Sequence, residues 1–249
     1  YAAAEHRAAR EDVILMDLTH MSKILVQGRD AEKVLNRICA NNVSVPVGRI
    51  VYTQWLNQRG TIEADLTVTR LTEDSYLLVL VDAIHRHVET WLRHHIPPDA
   101  HVFVTDVTSG YNIMNVQGPK SRQLINGLTN VDMSNEAFPY LTMQEIDMGY
   151  ALVKALRVTY VGELGWELYV PTEFTLHVFD MLVEAGADVG LKHAGFQALD
   201  TLRLEKAYRD YGHDIDNTDT PLEVGLGFAV DFDKPGGFIG REALLRQKE

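Results

Sequence analysis

The sequence predicts an α+β fold, and three observations point to this class. Short β-rich segments alternate with amphipathic helical segments along the whole chain, in no strict β-α-β rhythm, which argues against a doubly wound parallel sheet. We detect no internal repeat and no low-complexity tract. The chain has 249 residues, of which 46% are hydrophobic and 23% charged. This is the composition of a globular protein with a substantial core.

Six strands are predicted in the first half of the chain, where β-branched and apolar residues cluster between Gly, Asp and Asn breaks. They cover residues 13–18, 23–27, 66–71, 75–81, 101–107 and 112–116. Amphipathic patterns predict helices over residues 31–40, 83–95 and 119–128, the last with Pro119 in the first helical position. Asp30 and Asp82 precede the first two helices and are predicted to cap them.

The second half is predicted to begin with a β-hairpin. Strands over residues 152–160 and 166–170 bracket the glycine-rich tip Gly162-Glu-Leu-Gly. Two helices follow. One covers residues 173–185, with Thr172 as its cap, and the other covers residues 195–211 and ends at Gly212, as a helix with glycine at C′ does. The tail is predicted to form a strand over residues 226–232 and then a turn at Lys234-Pro-Gly-Gly.

Charge and cysteine content exclude several classes of protein. With 23 Lys+Arg against 35 Asp+Glu, the formal charge is −12, which opposes attraction to nucleic acid or to an anionic membrane surface. Cys39 is the single cysteine, so an intrachain disulfide and a thiolate zinc cluster are excluded. No apolar run approaches the roughly 20 residues of a membrane span, and the first residues do not resemble a signal peptide. We expect no nucleic acid and no membrane partner, and a location in a bacterial cytoplasm or, as second choice, the mitochondrial matrix.

Generic catalytic and metal-binding motifs are absent from the sequence. It has no phosphate loop, dinucleotide fingerprint, Gly-x-Ser-x-Gly elbow or HExxH motif. Four histidines lie on the predicted helix 83–95, but spacings of one and two residues point neighbouring side chains to different faces. They are His85, His87, His94 and His95. No metal site is therefore expected.

Three segments place polar residues in or beside glycine-rich turns, where a backbone can approach a ligand. They cover residues 52–68, residues 157–171, and residues 199–215 together with 220–226. In the first, Gly60 suits a hairpin turn and Asp65 begins the next strand. In the second, Glu167 falls inside an apolar strand and needs a donor if it is buried. The third contains Arg203. Spacing alone leaves each segment open between a ligand site and a structural role, with Asp65 as a strand-edge cap and Glu167 facing water.

Six motifs follow one another along the chain. They are Leu18-Thr-His-Met, Asn57-Gln-Arg-Gly with Asp65, Tyr160-Val-Gly-Glu-Leu-Gly-Trp-Glu, Leu202-Arg-Leu-Glu-Lys, Thr220-Pro-Leu-Glu-Val-Gly-Leu and Gly237-Phe-Ile-Gly-Arg-Glu-Ala-Leu. In this order, and over essentially the whole chain, they resemble the folate-binding aminomethyltransferase family. That family includes the T-protein of the glycine cleavage system and the C-terminal part of dimethylglycine and sarcosine dehydrogenases. The third and fourth motifs resemble the dehydrogenase branch more closely.

The resemblance implies a fold and a set of site residues. The family fold has three subdomains, the first two interleaved in sequence. Residues 1–244 would form these two, and residues 245–249 would begin a truncated C-terminal region whose β-barrel is missing. Asp65 is implied to be the catalytic carboxylate. The implied folate-binding residues are Tyr52, Tyr160, Trp166, Glu167, Arg203 and Asp82, the last standing nearest to an asparagine of the family.

The resemblance also implies an activity. It is the tetrahydrofolate-dependent transfer of an aminomethyl or methylene unit from an N-methyl or aminomethyl amine, forming methylene-tetrahydrofolate. Asp65 would stabilise the positive charge of the donor and accept a proton, and Glu167 would accept N–H bonds from the pterin. The alternatives are T-protein action on a lipoyl carrier protein and a non-catalytic folate-binding or regulatory module. Tetrahydrofolate is the implied cofactor, with FAD only if a separate upstream oxidase domain exists. Folate, a small amine donor, and a flavin oxidoreductase domain or lipoyl carrier are the implied partners.

Overall fold

The structure, a computed structural model, describes residues 1–249 and contains eleven strands and seven helices. The strands are β1 (Ile14–Asp17), β2 (Ser22–Gln27), β3 (Ile50–Leu56), β4 (Ile62–Thr72), β5 (Ser75–Leu80), β6 (Phe103–Asp106), β7 (Tyr111–Gln117), β8 (Met143–Met148), β9 (Ala151–Leu156), β10 (Gly165–Pro171) and β11 (Lys192–His193). The helices are α1 (Ala2–Glu11), α2 (Ala31–Ile38), α3 (His85–His95), α4 (Ser121–Asn126), α5 (Thr175–Gly186), α6 (Phe196–Glu205) and α7 (Arg241–Lys248). No helix has the length and apolar character that crossing a membrane requires.

The chain divides into two compact units, and each unit is assembled from two separate stretches of sequence. The six-strand unit comprises Tyr1–Thr19 and Ser109–Arg209, and the five-strand unit comprises His20–Thr108 and Asp210–Glu249. Each unit contains one β-sheet with helices of its own. Neither unit is therefore a continuous segment of the sequence.

The six-strand unit is built on a sheet with the strand order β11-β1-β7-β10-β9-β8. Its neighbouring strands are antiparallel except for the short parallel pair β1 and β11. A hydrophobic core lies on one face of this sheet and includes Trp166 and Leu168 of β10, with Val178 and Leu182 of α5. Because side chains alternate along a strand, Glu167 lies on the opposite face from these two core residues.

The five-strand unit is built on a wholly antiparallel sheet with the order β3-β4-β5-β2-β6. Helices α2 and α3 cover one of its faces and bury Leu35, Ile38, Val88 and Leu92 against the strands. Both helices show the apolar spacing from which they are predicted. A second cluster in this unit packs Leu244 of α7 with apolar side chains of the β3–β4 hairpin.

Lys234 fastens the C-terminal segment of the five-strand unit to the end of α2. Its side chain is buried, and Nζ donates to the carbonyl oxygens of Asn36 at 2.5 Å, Asn41 at 2.9 Å and Cys39. These carbonyls belong to the last turn of α2 and the loop after it, where backbone acceptors lack helical partners. The lysine therefore acts as a side-chain cap, and its burial lowers its pKa to about 8.

Most predicted elements are confirmed, some with shorter and some with longer bounds, but two predictions about strands are wrong. The tail expected as a strand over residues 226–232 forms a short 3-10 turn, Gly227–Ala229, instead. Asp65 does not begin a strand, because β4 already starts at Ile62 and Asp65 lies within it. Elements α1, β3, β8, β11 and α7 were not predicted.

The three predicted helix caps are also wrong, because each side chain acts elsewhere. The Asp30 carboxylate accepts the His101 backbone N–H at 2.7 Å and caps no helix. Asp82 lies in a 3-10 turn, Asp82–Ile84, and makes no side-chain cap bond. The Thr172 hydroxyl donates to the Ser109 carbonyl at 2.6 Å.

Helix α6 ends at Glu205, seven positions before the predicted glycine. Ala207 has φ 56°, the left-handed conformation that usually belongs to glycine. The N–H of Ala207 donates to Leu204 O at 3.0 Å, and the N–H of Tyr208 donates to Arg203 O at 3.1 Å. This is the hydrogen-bond pattern of a Schellman motif with alanine at C′. The sequence does not indicate the end of α6, because alanine normally favours helical backbone.

We expect Ala207→Gly to raise the free energy of unfolding by about 1 kcal/mol, because glycine adopts positive φ without the steric cost of a Cβ atom. Denaturant unfolding of the variant and the parent measures the change. Ala185→Gly, within α5, is the matched control and should lower the free energy of unfolding by up to about 1 kcal/mol. A loss of stability in both variants would contradict the assignment.

Candidate functional site

The β3–β4 hairpin positions Asp65 in the five-strand unit. The register pairs Gln54 with Asp65 and Tyr52 with Thr67. On β4, Ala64 and Leu66 face the hydrophobic core, so Asp65 lies on the other face, where it is partly buried. Directly paired residues share a face of an antiparallel sheet. The side chains of Tyr52 and Gln54 therefore lie on the same face as the carboxylate.

The turn that fixes this register depends on Asn57 and on glycine. The Asn57 side-chain oxygen accepts the Arg59 backbone N–H at 2.9 Å, and its amide donates to Glu63 at 2.7 Å. Gly60 has φ +85°, and a Cβ atom added there would lie 3.0 Å from Leu244 Cδ2. The predicted hairpin turn at Gly60 is confirmed, and its backbone and its surroundings both favour glycine.

Asp65 is surrounded by groups that act on its charge in opposite directions. Gln54 Nε2 donates to Asp65 Oδ1 at 2.8 Å, and the Tyr52 hydroxyl also hydrogen-bonds the carboxylate. Burial outweighs these donors and, with a smaller contribution from the negative charge of Asp210, raises the pKa of Asp65 to about 6. Asp65 is therefore a carboxyl that changes protonation close to neutral pH, a property common in general acids and bases.

Glu167 is the predicted site carboxylate of the six-strand unit. It is partly buried on β10, directly opposite Asn115 of β7 and Leu156 of β9. The hydroxyl of Tyr169 donates to Glu167 Oε2 at 2.9 Å, which supplies the donor that a carboxylate inside an apolar strand requires. Burial raises the pKa of Tyr169 well above its ordinary value, so this hydroxyl keeps its proton.

Two buried amide side chains, which belong to none of the predicted site segments, share the sheet face of Glu167. Gln117 Nε2 donates to Asn115 Oδ1 at 2.7 Å and to the Val158 carbonyl at 3.0 Å. Asn115 Nδ2 and Gln117 Oε1 have no hydrogen-bond partner. An amide left in this state costs about 1–3 kcal/mol. The sequence feature that could have indicated them is the pair of amides at alternate positions of a strand whose centre is otherwise apolar.

The hairpin tip after β9 and the end of α6 bring together two further predicted residues. The Tyr160 hydroxyl donates to the Arg209 carbonyl at 2.7 Å. The Arg203 guanidinium, only 5% exposed, donates to Asp200 at 3.2 Å and to the Tyr208 carbonyl at 3.3 Å. The structure therefore places Tyr160 and Arg203 on neighbouring segments of the six-strand unit.

Arg10 of α1 ties the hairpin tip to α6. Its guanidinium donates to the Val161 carbonyl at 2.6 Å and to Glu163 at 2.9 Å, both in the tip. It also donates to the Leu202 carbonyl at 3.1 Å and to Glu205 at 2.9 Å, both on α6. These four bonds hold the segment that carries Tyr160 against the helix that carries Arg203.

Trp166 and Asp82 lie in different surroundings from the other predicted folate-binding residues. Trp166 is fully buried in the hydrophobic core, on the opposite sheet face from Glu167, and the Arg122 and Arg157 guanidinium groups lie over its ring. Its position therefore assigns it to packing and leaves no exposed ring for a ligand to stack on. Asp82 is exposed in its 3-10 turn. Its role as a ligand-binding residue stays a prediction.

Comparison with known proteins gives a consistent family assignment. Residues 1–234 match the family described as the GCVT N-terminal domain. An aminomethyltransferase from Halothermothrix orenii is 38% identical over 246 residues, which cover 98% of this chain and 68% of that protein. A 4-methylaminobutanoate oxidase (formaldehyde-forming) from Paenarthrobacter nicotinovorans is 44% identical over 98% of this chain, but this chain spans only 30% of the oxidase.

A solved structure shows the same fold. The glycine cleavage system aminomethyltransferase T from Bartonella henselae superposes with a TM-score of 0.86 at 24% identity. The match covers 99% of this chain and 66% of that protein. The fold predicted from the resemblance is thereby confirmed.

The raised pKa of Asp65 predicts a pH-dependent stability. In the unfolded chain the carboxyl has a pKa near 3.8, against about 6 in the folded protein. Between pH 4 and pH 6, Asp65 therefore binds more protons in the folded state than in the unfolded state. Its contribution to the free energy of unfolding falls as the pH rises from about 4 to 6, and stays low above pH 6. Asp65→Asn should stabilise the protein at pH 7.5 by on the order of 1–3 kcal/mol, and change it little at pH 4.

Denaturant unfolding at the two pH values measures this effect. Asp233→Asn, at an exposed carboxylate of the same unit, is the matched control and should change stability by less than about 0.5 kcal/mol at both. An Asp65→Asn variant that is less stable than its parent at pH 7.5 would show that the carboxylate stabilises the fold.

Proposed function

The chain belongs to the aminomethyltransferase family of the glycine cleavage T-protein, and on that premise we propose that it binds tetrahydrofolate and transfers a one-carbon unit to it. The observation that carries the proposal is Asp65, a carboxyl with a pKa of about 6, held in one orientation by Gln54 and Tyr52. We further propose that residues 1–244 form the first two, interleaved subdomains of the family.

The polar groups near Glu167 support folate as the ligand. The pterin ring presents N–H donors beside a carbonyl acceptor along one edge, and an ionised carboxylate can accept two N–H bonds. Asn115 Nδ2 is a buried donor and Gln117 Oε1 a buried acceptor on the same sheet face, and neither has a hydrogen-bond partner. A ligand with both kinds of group complements this set, whereas a purely apolar ligand would leave Asn115 Nδ2 and Gln117 Oε1 unsatisfied.

Asp65 would act on the charge and the protons of the transfer. An iminium donor carries a methylene carbon double-bonded to a cationic nitrogen. When that carbon passes to two folate nitrogens, its bonds to the donor nitrogen break, and the donor nitrogen takes up the two protons that the folate nitrogens lose and leaves as a protonated amine. The Asp65 carboxylate, ionised above its pKa, would stabilise the cation and relay a proton between these nitrogens and the departing amine. No protein nucleophile is required, because the folate nitrogens supply the attacking electron pairs.

An N-methyl amine is the donor that we propose. The oxidase relative is named for 4-methylaminobutanoate, an N-methyl amine, and for the formation of formaldehyde. Transfer to tetrahydrofolate would capture the same carbon at the same oxidation level. Generating an iminium from a methylamine requires an oxidant. We therefore propose a flavin oxidoreductase domain with FAD as the partner, rather than a lipoyl carrier protein.

We expect Glu167→Gln to weaken binding of 5-formyl-tetrahydrofolate by roughly 10- to 100-fold, because hydrogen bonds to a charged group contribute about 1.5–3 kcal/mol. Isothermal titration calorimetry on the full chain measures the affinity. Glu173→Gln, at an exposed carboxylate of the same unit, is the matched control and should bind like the parent. Absence of binding by the folded parent chain would refute the proposed function.

Asp65→Asn is expected to abolish methylene transfer and to leave folate affinity within about threefold of the parent, because the role of the carboxylate lies in the reaction step. Transfer is measured as methylene-tetrahydrofolate formed from an N-methyl amine in the presence of a flavin oxidase that supplies the iminium. In the parent the transfer rate should fall about tenfold per pH unit below pH 6, as Asp65 becomes protonated. If Asp65→Asn lowers folate affinity and transfer rate in proportion, the catalytic assignment is wrong. Folate binding without transfer in the parent would favour a non-catalytic module.

A further inference from the structure

Two arginine side chains of the six-strand unit lie together over one tryptophan ring. The guanidinium carbon of Arg122, on α4, is 5.9 Å from the centre of the Trp166 ring, and that of Arg157, directly after β9, is 5.7 Å from it. Both guanidinium groups donate to one atom, Asn135 Oδ1, at 2.6 Å from Arg122 Nη2 and 2.7 Å from Arg157 Nη2. We call Arg122 and Arg157 the arginine pair.

Backbone carbonyls hold each member of the arginine pair in place. Arg122 Nε donates to the Met133 carbonyl at 2.7 Å, and Arg157 Nη1 donates to the Phe138 carbonyl. Two hydrogen bonds and a ring contact thus restrain each guanidinium group. Because the two side chains are already ordered, a ligand that binds them loses little affinity to the cost of immobilising them.

The arginine pair has no counter-ion within the protein. Neither guanidinium group forms an ion pair with a carboxylate, although the chain has 35 Asp and Glu residues against 23 Lys and Arg. By contrast, Arg10 and Arg70 each pair with two carboxylates. Burial and the neighbouring charge of Arg122 lower the pKa of Arg157. The two positive charges therefore repel each other without an anion to compensate them.

The arginine pair keeps hydrogen-bond donors that no protein group accepts. A guanidinium group has five N–H groups. Each member of the pair uses two of them, for an amide oxygen and a backbone carbonyl, which leaves three unused. Both arginines are partly buried, and Asn135 between them is exposed. Unused donors on two adjacent and restrained cations suit a ligand with several acceptor oxygens and more than one negative charge.

A phosphate group matches the arginine pair in charge and in acceptor number. A phosphate monoester carries a charge of about −1.5 to −2 near pH 7 and has three strong acceptor oxygens. A carboxylate carries a single charge on two oxygens. The planar fork of arginine binds phosphate oxygens through two parallel N–H bonds. Two guanidinium groups can therefore neutralise a phosphate dianion, whereas a carboxylate would leave one positive charge uncompensated.

We propose that the arginine pair is a phosphate-binding site, which takes free phosphate or the phosphate group of a monoester. A bound phosphate would cancel the repulsion between the two guanidinium groups, and so fasten residues 133–138, which accept their hydrogen bonds, to the rest of the six-strand unit. The site is separate from the proposed folate site, because Trp166 lies on the core face of the sheet and Glu167 on the other. The inference is therefore independent of the proposed function, which stands if the inference fails.

Isothermal titration calorimetry on the full chain with inorganic phosphate, at constant ionic strength, measures the affinity. Arg122→Met and Arg157→Met should each weaken binding by about tenfold or more, because each removes one positive charge and three donors. Glu136→Gln should strengthen binding about two- to threefold, because it removes an exposed negative charge that acts on Arg157. Arg7→Met, at an exposed arginine of α1 in the same unit, is the matched control and should bind like the parent.

A second measurement needs no substitution and decides the question if the methionine variants fail to fold. In protein labelled with nitrogen-15, inorganic phosphate should shift the side-chain Nε–H resonances of Arg122 and Arg157 and leave that of Arg7 in place. If the folded parent binds no phosphate, or if it binds phosphate while these two resonances do not move, the inference is overturned.

A phosphoserine peptide, with its unphosphorylated form as control, identifies the source of the phosphate group. Binding of the phosphopeptide about tenfold tighter than inorganic phosphate, lost together with its phosphate, would support the site and indicate a phosphorylated protein segment. Binding no tighter than inorganic phosphate would support the site and indicate free phosphate or a small ester. Equal binding of both peptide forms, with no shift of the two arginine resonances by either peptide or by inorganic phosphate, would contradict the inference.

Discussion

The cross-strand pairing of Gln54 with Asp65 is the contact on which the candidate chemistry of the five-strand unit depends. A slip of one residue in the β3–β4 register would turn Asp65 into the hydrophobic core and bring Ala64 to the polar face. The register is set at the turn, where the Asn57 side chain and the positive φ of Gly60 allow one geometry. Lys234 then anchors the C-terminal segment of the same unit.

The six-strand unit holds its polar residues at the expense of stability. Asn115 and Gln117 are buried with one unsatisfied group each, and Leu141 and Ala207 have strained backbone. Apolar side chains and glycine at these positions would give a more stable fold. Polar groups and strain that packing does not explain are typical of residues selected for binding.

The sequence was sufficient for the fold class, for most strands, for the turn at Gly60 and for the place of Glu167 within a strand, because hydrophobic clusters and glycine-rich turns report local geometry directly. The sequence was insufficient where contacts between distant parts of the chain determine the local structure. Strand β3 is buried on both faces along most of its length, so its sequence shows no alternation. The Asp30 carboxylate binds an N–H that is 71 positions away rather than its own helix. The end of α6 uses alanine where the rules expect glycine, so the pattern could not reveal it.

The interleaving of the two units has a consequence for biosynthesis. The chain passes from one unit to the other at Thr19–His20, Thr108–Ser109 and Arg209–Asp210. Strand β1 pairs with β7, which follows about 90 residues later. At roughly 5–20 residues per second, the emerging β1 waits for about 5–20 seconds without its antiparallel partner, while most of the five-strand unit is made. An apolar strand left unpaired for that time is a binding site for chaperones and a point at which a nascent chain can aggregate.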